Sequence, residues 1–416
     1  MSRASPPALR TNRDRLWESL TRMAQIGALP GGGCCRLALS EEDGRARRQF
    51  AAWCEELNCV VSCDAVGNLY ALRQGVEADL PVIATGSHLD TQPHGGRFDG
   101  VYGVMAALEV LRCLNDANVR TRRGVLAVVW TNEEGVRFAP PLAGSQAFCG
   151  RVAPQTVLNA RTRDGTRVAD DLIRLGQAGE ETPGARRFEC FLEAHIEQGP
   201  VLEAQAKTIG VVTQIQGIRA FRAQLTGEDG HAGTVPLSSR RDALVCAAEM
   251  IVRLRQMALE ADPITRMTVG SLEVSPNAMS TIPGSVTFTI DLRHPAADTL
   301  SRVAARLQEE LQSISARHGV IGQIQPIMAS PPIRFDESLV GLVEACAARL
   351  GHSSMRMVSG AFHDAGFISG IAPTAMIFVP CAKGISHNEQ ESAEPADLAA
   401  GADVLLSAVL ARAEAL

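Results

Sequence analysis

Apolar positions Leu16, Leu20, Met23 and Ile26 recur at helical spacing and predict an amphipathic helix over 14–27. Pro30 and Gly31-Gly32-Gly33 interrupt the chain, and a second helix is expected over 41–57. Residues 59–63 and 68–73 read as a hairpin around 64–67. A hydrophobic strand, Pro81 to Thr85, leads into a polar, glycine-rich stretch running to Gly103, and a helix with Met105, Leu108, Val110 and Leu111 follows. Residues 124–131 form an unbroken apolar run, the mark of a strand buried on both faces. Residues 160–188 are charged and predict a surface excursion with one helix near 168–175. In the strand that starts at Cys190, Glu193 and His195 alternate with Leu192, Ala194 and Ile196, which puts the polar pair on one side.

The character changes after Ile209. A strand over 220–226, a loop over 227–236 and a helix over 241–257 burying Leu244, Ala248, Ile251 and Leu254 come first. Strands over 267–274 and 285–293, a helix over 299–317 and a strand over 319–327 complete the series. In 285–293, Val286, Phe288, Ile290 and Leu292 face one way and Thr287, Thr289, Asp291 and Arg293 the other. This order predicts a ferredoxin-like α+β unit inserted into a larger domain, with helices on one face and Arg293 on the open one. The outer pattern then resumes with a helix over 339–350, a strand over 374–379 and a helix over 394–410. The expected architecture is α/β: a mixed, mainly parallel sheet with helices on both faces, formed by 1–213 and 328–416, and an inserted domain over 214–327.

A chain of 416 residues suits two domains, and 46% hydrophobic residues can fill a large core. A net charge of −6 argues against a nucleic-acid partner, as does an aromatic content of only 4%. The cysteine count is odd, at 11, and no C-x-x-C occurs; reduced thiols of a cytoplasmic protein are expected. The polar, basic opening through Arg15 lacks the apolar core of a signal peptide. No window reaches the apolar length of a membrane span, so no membrane partner is expected.

Candidate chemistry gathers just past strand ends. His88 follows the Pro81–Thr85 run, where open α/β sheets put their ligands. Asp90 stands close enough to take the far nitrogen of that imidazole, and the glycines let the backbone return Asp99 to the same point. No phosphate-cradling glycine motif and no Lys occurs there. Glu133 and Glu134 follow the 124–131 run; adjacent carboxylates suit a pair in which one binds metal and the other holds a proton. His195 and His387 add two imidazoles. Two metals sharing Asp99 need two further ligands each, which uses His88, Glu134, His195 and His387 and leaves Glu133 to move a proton. Zn, Mn, Co and Ni all accept such a donor set.

G-S-H-L-D-T, G-G-R-F-D-G-x-x-G, T-N-E-E-G, E-A-H-I-E-Q-G-P, G-x-x-G-H-A-G-T-x-P and I-S-H-N-E occur in that order. Together they resemble the dinuclear-metal amidohydrolases of the M20 peptidase superfamily. Within it they are similar to the hydantoinase/carbamoylase branch of N-carbamoyl-L-amino acid hydrolases, allantoate amidohydrolases and β-ureidopropionases. His195 points to that branch, since peptidase and deacylase relatives usually carry a carboxylate at that place. The resemblance implies two divalent ions per subunit, with Asp99 bridging, His88 and His195 on one ion, and Glu134 and His387 on the other. It implies Glu133 as general base and Asp90 as the residue orienting His88. It further implies that His231 reaches the substrate carbonyl across a dimer interface and that Asn277 and Arg293 grip the substrate carboxylate. Gln198 and Gly360 would contact the substrate too, and the inserted domain would act as lid and homodimer interface. The implied reaction releases ammonia and carbon dioxide from an N-carbamoyl-L-amino acid. Allantoate or N-carbamoyl-β-alanine is the alternative substrate, and deacylation or dipeptide hydrolysis a more distant one. Phe362 departs from the small residue usual before the His-Asp of the S-G-A-x-H-D-A segment, and so bears on pocket shape.

Overall fold

Four parallel strands lie side by side in the order Val125–Trp130, Val82–His88, Phe188–Ile196 and Thr374–Val379. Every residue of the first and last of these is buried, which requires cover on both faces and explains their unbroken apolar sequences. Antiparallel strands extend the sheet on each side. The hairpin Val60–Cys63 and Leu69–Arg73 adds to Val125–Trp130, and Ile209–Ile215 adds to Thr374–Val379. Among the described residues the sheet has nine strands, so the α/β, mainly parallel architecture expected from the sequence is the one observed.

The computed structural model describes residues 9–414, so the first eight residues of the basic opening stretch lie outside it. It divides the chain into a unit that runs through Thr213 and resumes at Arg334, and a second unit, Gln214–Ile333. In the first, helix Val101–Asp116 is buried on every side from Val101 to Leu111. Helix Arg13–Ala24 packs on it, and the guanidinium of Arg15 donates to the buried carboxylate of Glu109 at 2.8 and 2.9 Å. None of the 11 cysteines is in a disulfide. Among the described residues no helix is long and apolar enough to cross a membrane.

The second unit is an antiparallel sheet in the order Leu272–Ser275, Ser285–His294, Gly217–Thr226, Ile321–Ser330. Numbered along the chain, this is the 2-3-1-4 order of a ferredoxin-like unit. Helices Ala243–Ala261 and Ala297–Arg317 share one core with Val286, Phe288 and Ile290. Arg293 lies on the opposite face of its strand, in the alternation read from the sequence.

Four local expectations change. The strand read over 267–274 is broken at Gly270 into Arg266–Thr268 and Leu272–Ser275. The loop over 227–236 contains a two-residue strand, Gly230–His231, paired with Thr281–Ile282. The last strand continues to Ser330, past the boundary expected at 327. Helix Ala243–Ala261 buries Cys246, Ala247, Met250, Leu254 and Met257, while Ala248 is exposed and Leu244 and Ile251 are half-buried. That helix is apolar nearly all round, with Val245, Val252 and Leu259 also exposed, so spacing alone does not select the face that packs.

Candidate metal centre

Because the four central strands are parallel, their carboxyl ends meet at one edge, and the polar residues after each strand arrive together. His88 is the last residue of Val82–His88, and His195 is one short of the end of Phe188–Ile196. Glu133 and Glu134 follow Val125–Trp130, His387 follows Thr374–Val379, and Asp99 sits two residues before helix Val101–Asp116. Asp99 is the meeting point. Its Oδ1 lies 3.3 Å from His195 Nε2 and 3.9 Å from His88 Nε2. Its Oδ2 lies 3.1 Å from His387 Nε2, and that nitrogen is 3.7 Å from Glu134 Oε2. Glu133 Oε2 is 3.6 Å from His88 Nε2. The five residues expected as ligands, and Glu133, are therefore all brought together.

The hydrogen bonds behind these side chains set their tautomers. His88 Nδ1 donates to the carbonyl of Asp90 and His195 Nδ1 to the carbonyl of Ile196, both at 2.9 Å. In each ring Nδ1 is thus committed to a carbonyl and Nε2 is left to face Asp99. One carboxylate with an imidazole pair at one oxygen and an imidazole–carboxylate pair at the other fits divalent metal in nitrogen and oxygen coordination. Gly100 is held at φ +67, and a Cβ there would stand 2.3 Å from the His88 ring. A Cβ at Gly96 would stand 2.0 Å from the carboxyl of Glu391, so these two glycines are requirements of close approach.

The family profile described as peptidase family M20/M25/M40 matches residues 84–411. The chain belongs to that family. It is 42% identical to an N-carbamoyl-L-amino-acid amidohydrolase of Rhizobium meliloti over 97% of each chain. It is 33% identical to a ureidoglycolate hydrolase of Oryza sativa subsp. japonica, over 95% of this chain and 84% of that one. A crystal structure of a hydantoinase/carbamoylase family amidase from Burkholderia multivorans superposes with a TM-score of 0.94 at 44% identity, covering 98% of this chain and 99% of that one. The M20 family and the clustered donors together make this a divalent-metal hydrolase.

Within this M20 centre Asp90 acts differently from expectation. Its carboxylate is 3.9 Å from His88 Nδ1, and the imidazole is oriented by the Asp90 carbonyl instead. The carboxylate accepts the backbone N–H groups of Glu133, at 3.3 Å, and Glu134, at 3.1 Å, so it fixes the turn that carries both glutamates. A two-residue spacing places His88 and Asp90 together but does not say which Asp90 oxygen meets the ring. Gln198 donates to Asp99 Oδ2 at 2.9 Å and to Ser386 at 3.2 Å, so it is tied to the bridging carboxylate. Gln92 donates to Glu134 at 2.6 Å.

Burial drives His88 down to about 4, which keeps it neutral. Burial is the largest single influence on His195 and lowers it, but the hydrogen bond and charge of Asp99, with the charge of Glu193, together outweigh it and raise the imidazole to about 9. The Asp99 hydrogen bond raises His387 to about 9 as well. Burial pushes Asp99 up, yet those two imidazoles hold it well below the usual range. Burial, with Asp99 nearby, lifts Glu134 to about 8. Burial, reinforced by Asp364, Glu134, Asp90 and Asp99, lifts Glu133 well above an ordinary glutamate.

Several supporting residues carried no role in the sequence reading. Glu391 accepts the backbone N–H groups of Phe98, at 2.8 Å, and Asp99, at 3.1 Å, and so holds the Asp99 turn. Glu193 accepts from Ser87 and from the backbone of Ala365, and the His363 ring packs tilted against His195 with centroids 4.5 Å apart. Their signal was present in E-A-H and H-D-A, but only the packing assigns it. Phe362 is half-buried against Phe367, with centroids 5.0 Å apart. Gly360 follows strand Ser354–Ser359.

His231, Asn277 and Arg293 lie in the second unit. His231 is exposed and its Nδ1 accepts the Gly233 N–H at 3.0 Å, which leaves its proton on Nε2. Asn277 is exposed in the left-handed region, at φ +54. Arg293 meets Asp291 through two nitrogens, at 2.9 and 3.1 Å.

Proposed function

We propose that this chain hydrolyses the ureido carbon–nitrogen bond of an N-carbamoyl-L-amino acid at a dinuclear centre. The observation that carries the reading is Asp99: its Oδ1 lies 3.3 and 3.9 Å from His195 and His88, and its Oδ2 lies 3.1 Å from His387, which is itself 3.7 Å from Glu134, with Glu133 near His88. The substrate class is supported by full-length similarity to the amidohydrolase of Rhizobium meliloti. In this reading His88 and His195 would hold one ion and Glu134 and His387 the other, with Asp99 shared between them; zinc, manganese, cobalt and nickel all suit the donors. When bound, such ions make a carbonyl more electrophilic and water more acidic.

Glu133 is the group left to move the proton. It takes one from the attacking water and delivers it to the departing amino nitrogen. The ureido carbon gains the water oxygen, its bond to the amino acid nitrogen breaks, and the carbamate released falls apart into ammonia and carbon dioxide. The raised proton affinity of Glu133 suits both halves of that transfer. Arg293, aligned by Asp291, would clamp the substrate carboxylate with Asn277, and His231 would donate from Nε2 to the carbonyl oxygen. Gln198 and Gly360 would line the ureido end. The second unit would serve as lid and as homodimer interface, and free thiols throughout suit a reducing, cytoplasmic setting.

The test is ammonia release by the manganese- or zinc-loaded protein. The panel holds several N-carbamoyl-L-amino acids, allantoate, N-carbamoyl-β-alanine and an N-acetyl-amino acid, with amine release followed as well. Turnover of an N-carbamoyl-L-amino acid well above the others is expected. Preference for allantoate would move the substrate to the alternative that the similarity to a plant ureidoglycolate hydrolase favours. Consumption of the acetyl compound alone would replace the ureido reading with deacylation.

A further inference from the structure

We infer that Gly33 is a positioning residue for His387, and so for one half of the metal centre; the inference rests on the dinuclear reading above. The segment Gly31–Arg36 contributes no ligand, yet it touches chain on both sides of the centre. Cys34 and Gly95 exchange backbone hydrogen bonds, at 2.9 and 3.1 Å. Arg36 receives the Thr91 N–H at 2.9 Å and donates through Nε to the carbonyl of Leu89 at 2.7 Å. The segment therefore braces the stretch that joins His88 to Asp99.

Its glycines lie against the stretch that carries His387. A Cβ on Gly33 would stand 2.4 Å from the carbonyl oxygen of Gly95 and 2.6 Å from the Cα of Glu389. Both atoms are backbone, so neither yields without moving its segment. Glu389 is two residues beyond His387, which is the most exposed of the five ligand candidates and sits at φ +53. His387 reaches Asp99 from a half-open turn, and the close seat of Glu389 on Gly33 fixes that turn. Gly31 makes a contrast. A Cβ there meets only the Glu389 side chain, with Oε2 at 2.1 Å and Cδ at 3.1 Å, and that side chain can rotate away.

Metal stoichiometry tests this without reference to turnover. Wild-type, Gly33→Ala and Gly31→Ala chains are stripped with chelator, reloaded with zinc, dialysed and counted by mass spectrometry, with circular dichroism as the check on folding. Two ions per chain are expected in the wild type and in Gly31→Ala, and fewer than two in Gly33→Ala, because the new Cβ displaces the backbone of Glu389 and with it the His387 turn. Two ions held at wild-type affinity by Gly33→Ala would overturn the inference alone. Fewer than two in the wild type would overturn the dinuclear reading and the inference with it. If Gly33→Ala does not fold, hydrogen exchange on the wild type decides. Zinc loading should slow exchange of the Leu29, Gly32 and Cys34 amides, all bonded within or from this segment, together with residues 385–391. Slowing at 385–391 with none at these three amides would refute the coupling.

Discussion

Gly100→Ala perturbs the centre without replacing any residue that would hold metal, and the distances give the size of the effect. The new Cβ would stand 2.3 Å from Cε1 and Nε2 of His88. Carbon contacts relax near 3.5 Å, so the ring must retreat by roughly 1 Å. Forcing a methyl into a packed site of this kind costs about 1–3 kcal/mol. The φ of +67 adds about 1–2 kcal/mol for a residue with a Cβ. The unfolded chain loses some of glycine's freedom, which offsets about 0.4–1 kcal/mol. A net destabilisation of about 1–5 kcal/mol follows, and it should appear in chelator-stripped protein because the clash is with the ring itself. A retreat of that size also takes Nε2 out of coordination range, so zinc affinity should fall at least about 10–100-fold, as when ligand support is disturbed. Urea unfolding of the stripped proteins gives the first quantity and competitive titration against a chromophoric chelator the second. Destabilisation below about 1 kcal/mol with unchanged affinity would refute the argument that close approach to His88 selects glycine here.

Glu133→Gln should leave two ions bound and the unfolding midpoint no lower, because burial among carboxylates already favours the uncharged form of Glu133 and glutamine is uncharged, while kcat falls about 10²–10⁴-fold; a kcat within tenfold of wild type would remove the general-base role. Metal affinity should rise with pH up to about 9. His195 and His387 hold protons below that value and must release them to coordinate, as must Glu134 below about 8, whereas His88, at about 4, is already free. Calorimetry in two buffers of different ionisation enthalpy at pH 7.5 should therefore register proton release on zinc binding, and a buffer-independent heat would contradict these pairings.

The residues of the centre were legible because each strand announces itself by apolar content and most of the candidate ligands sit at or just past a strand end. His88, Asp99, Glu134, His195 and His387 lie where that reading puts them. Local patterning also determined the strand Ser285–His294, since a sheet with one covered face imposes strict alternation. It could not choose the buried face of Ala243–Ala261, where apolar residues surround the helix and only contact with the sheet breaks the tie. Nor could it find Glu391, Glu193 or Gly33, whose roles arise from segments tens to hundreds of residues apart meeting at backbone distance. Asp90 lies between the two cases. Its type and spacing were enough to place it beside His88, but the direction of its carboxylate is set by the two N–H groups of the Glu133 turn, which belong to a different strand. Sequence thus determined which donors this protein owns and the strand ends that carry them, because those depend on burial along a single segment. Their tautomers, orientations and proton affinities were decided by the tertiary structure, because each depends on atoms that only the parallel sheet brings together.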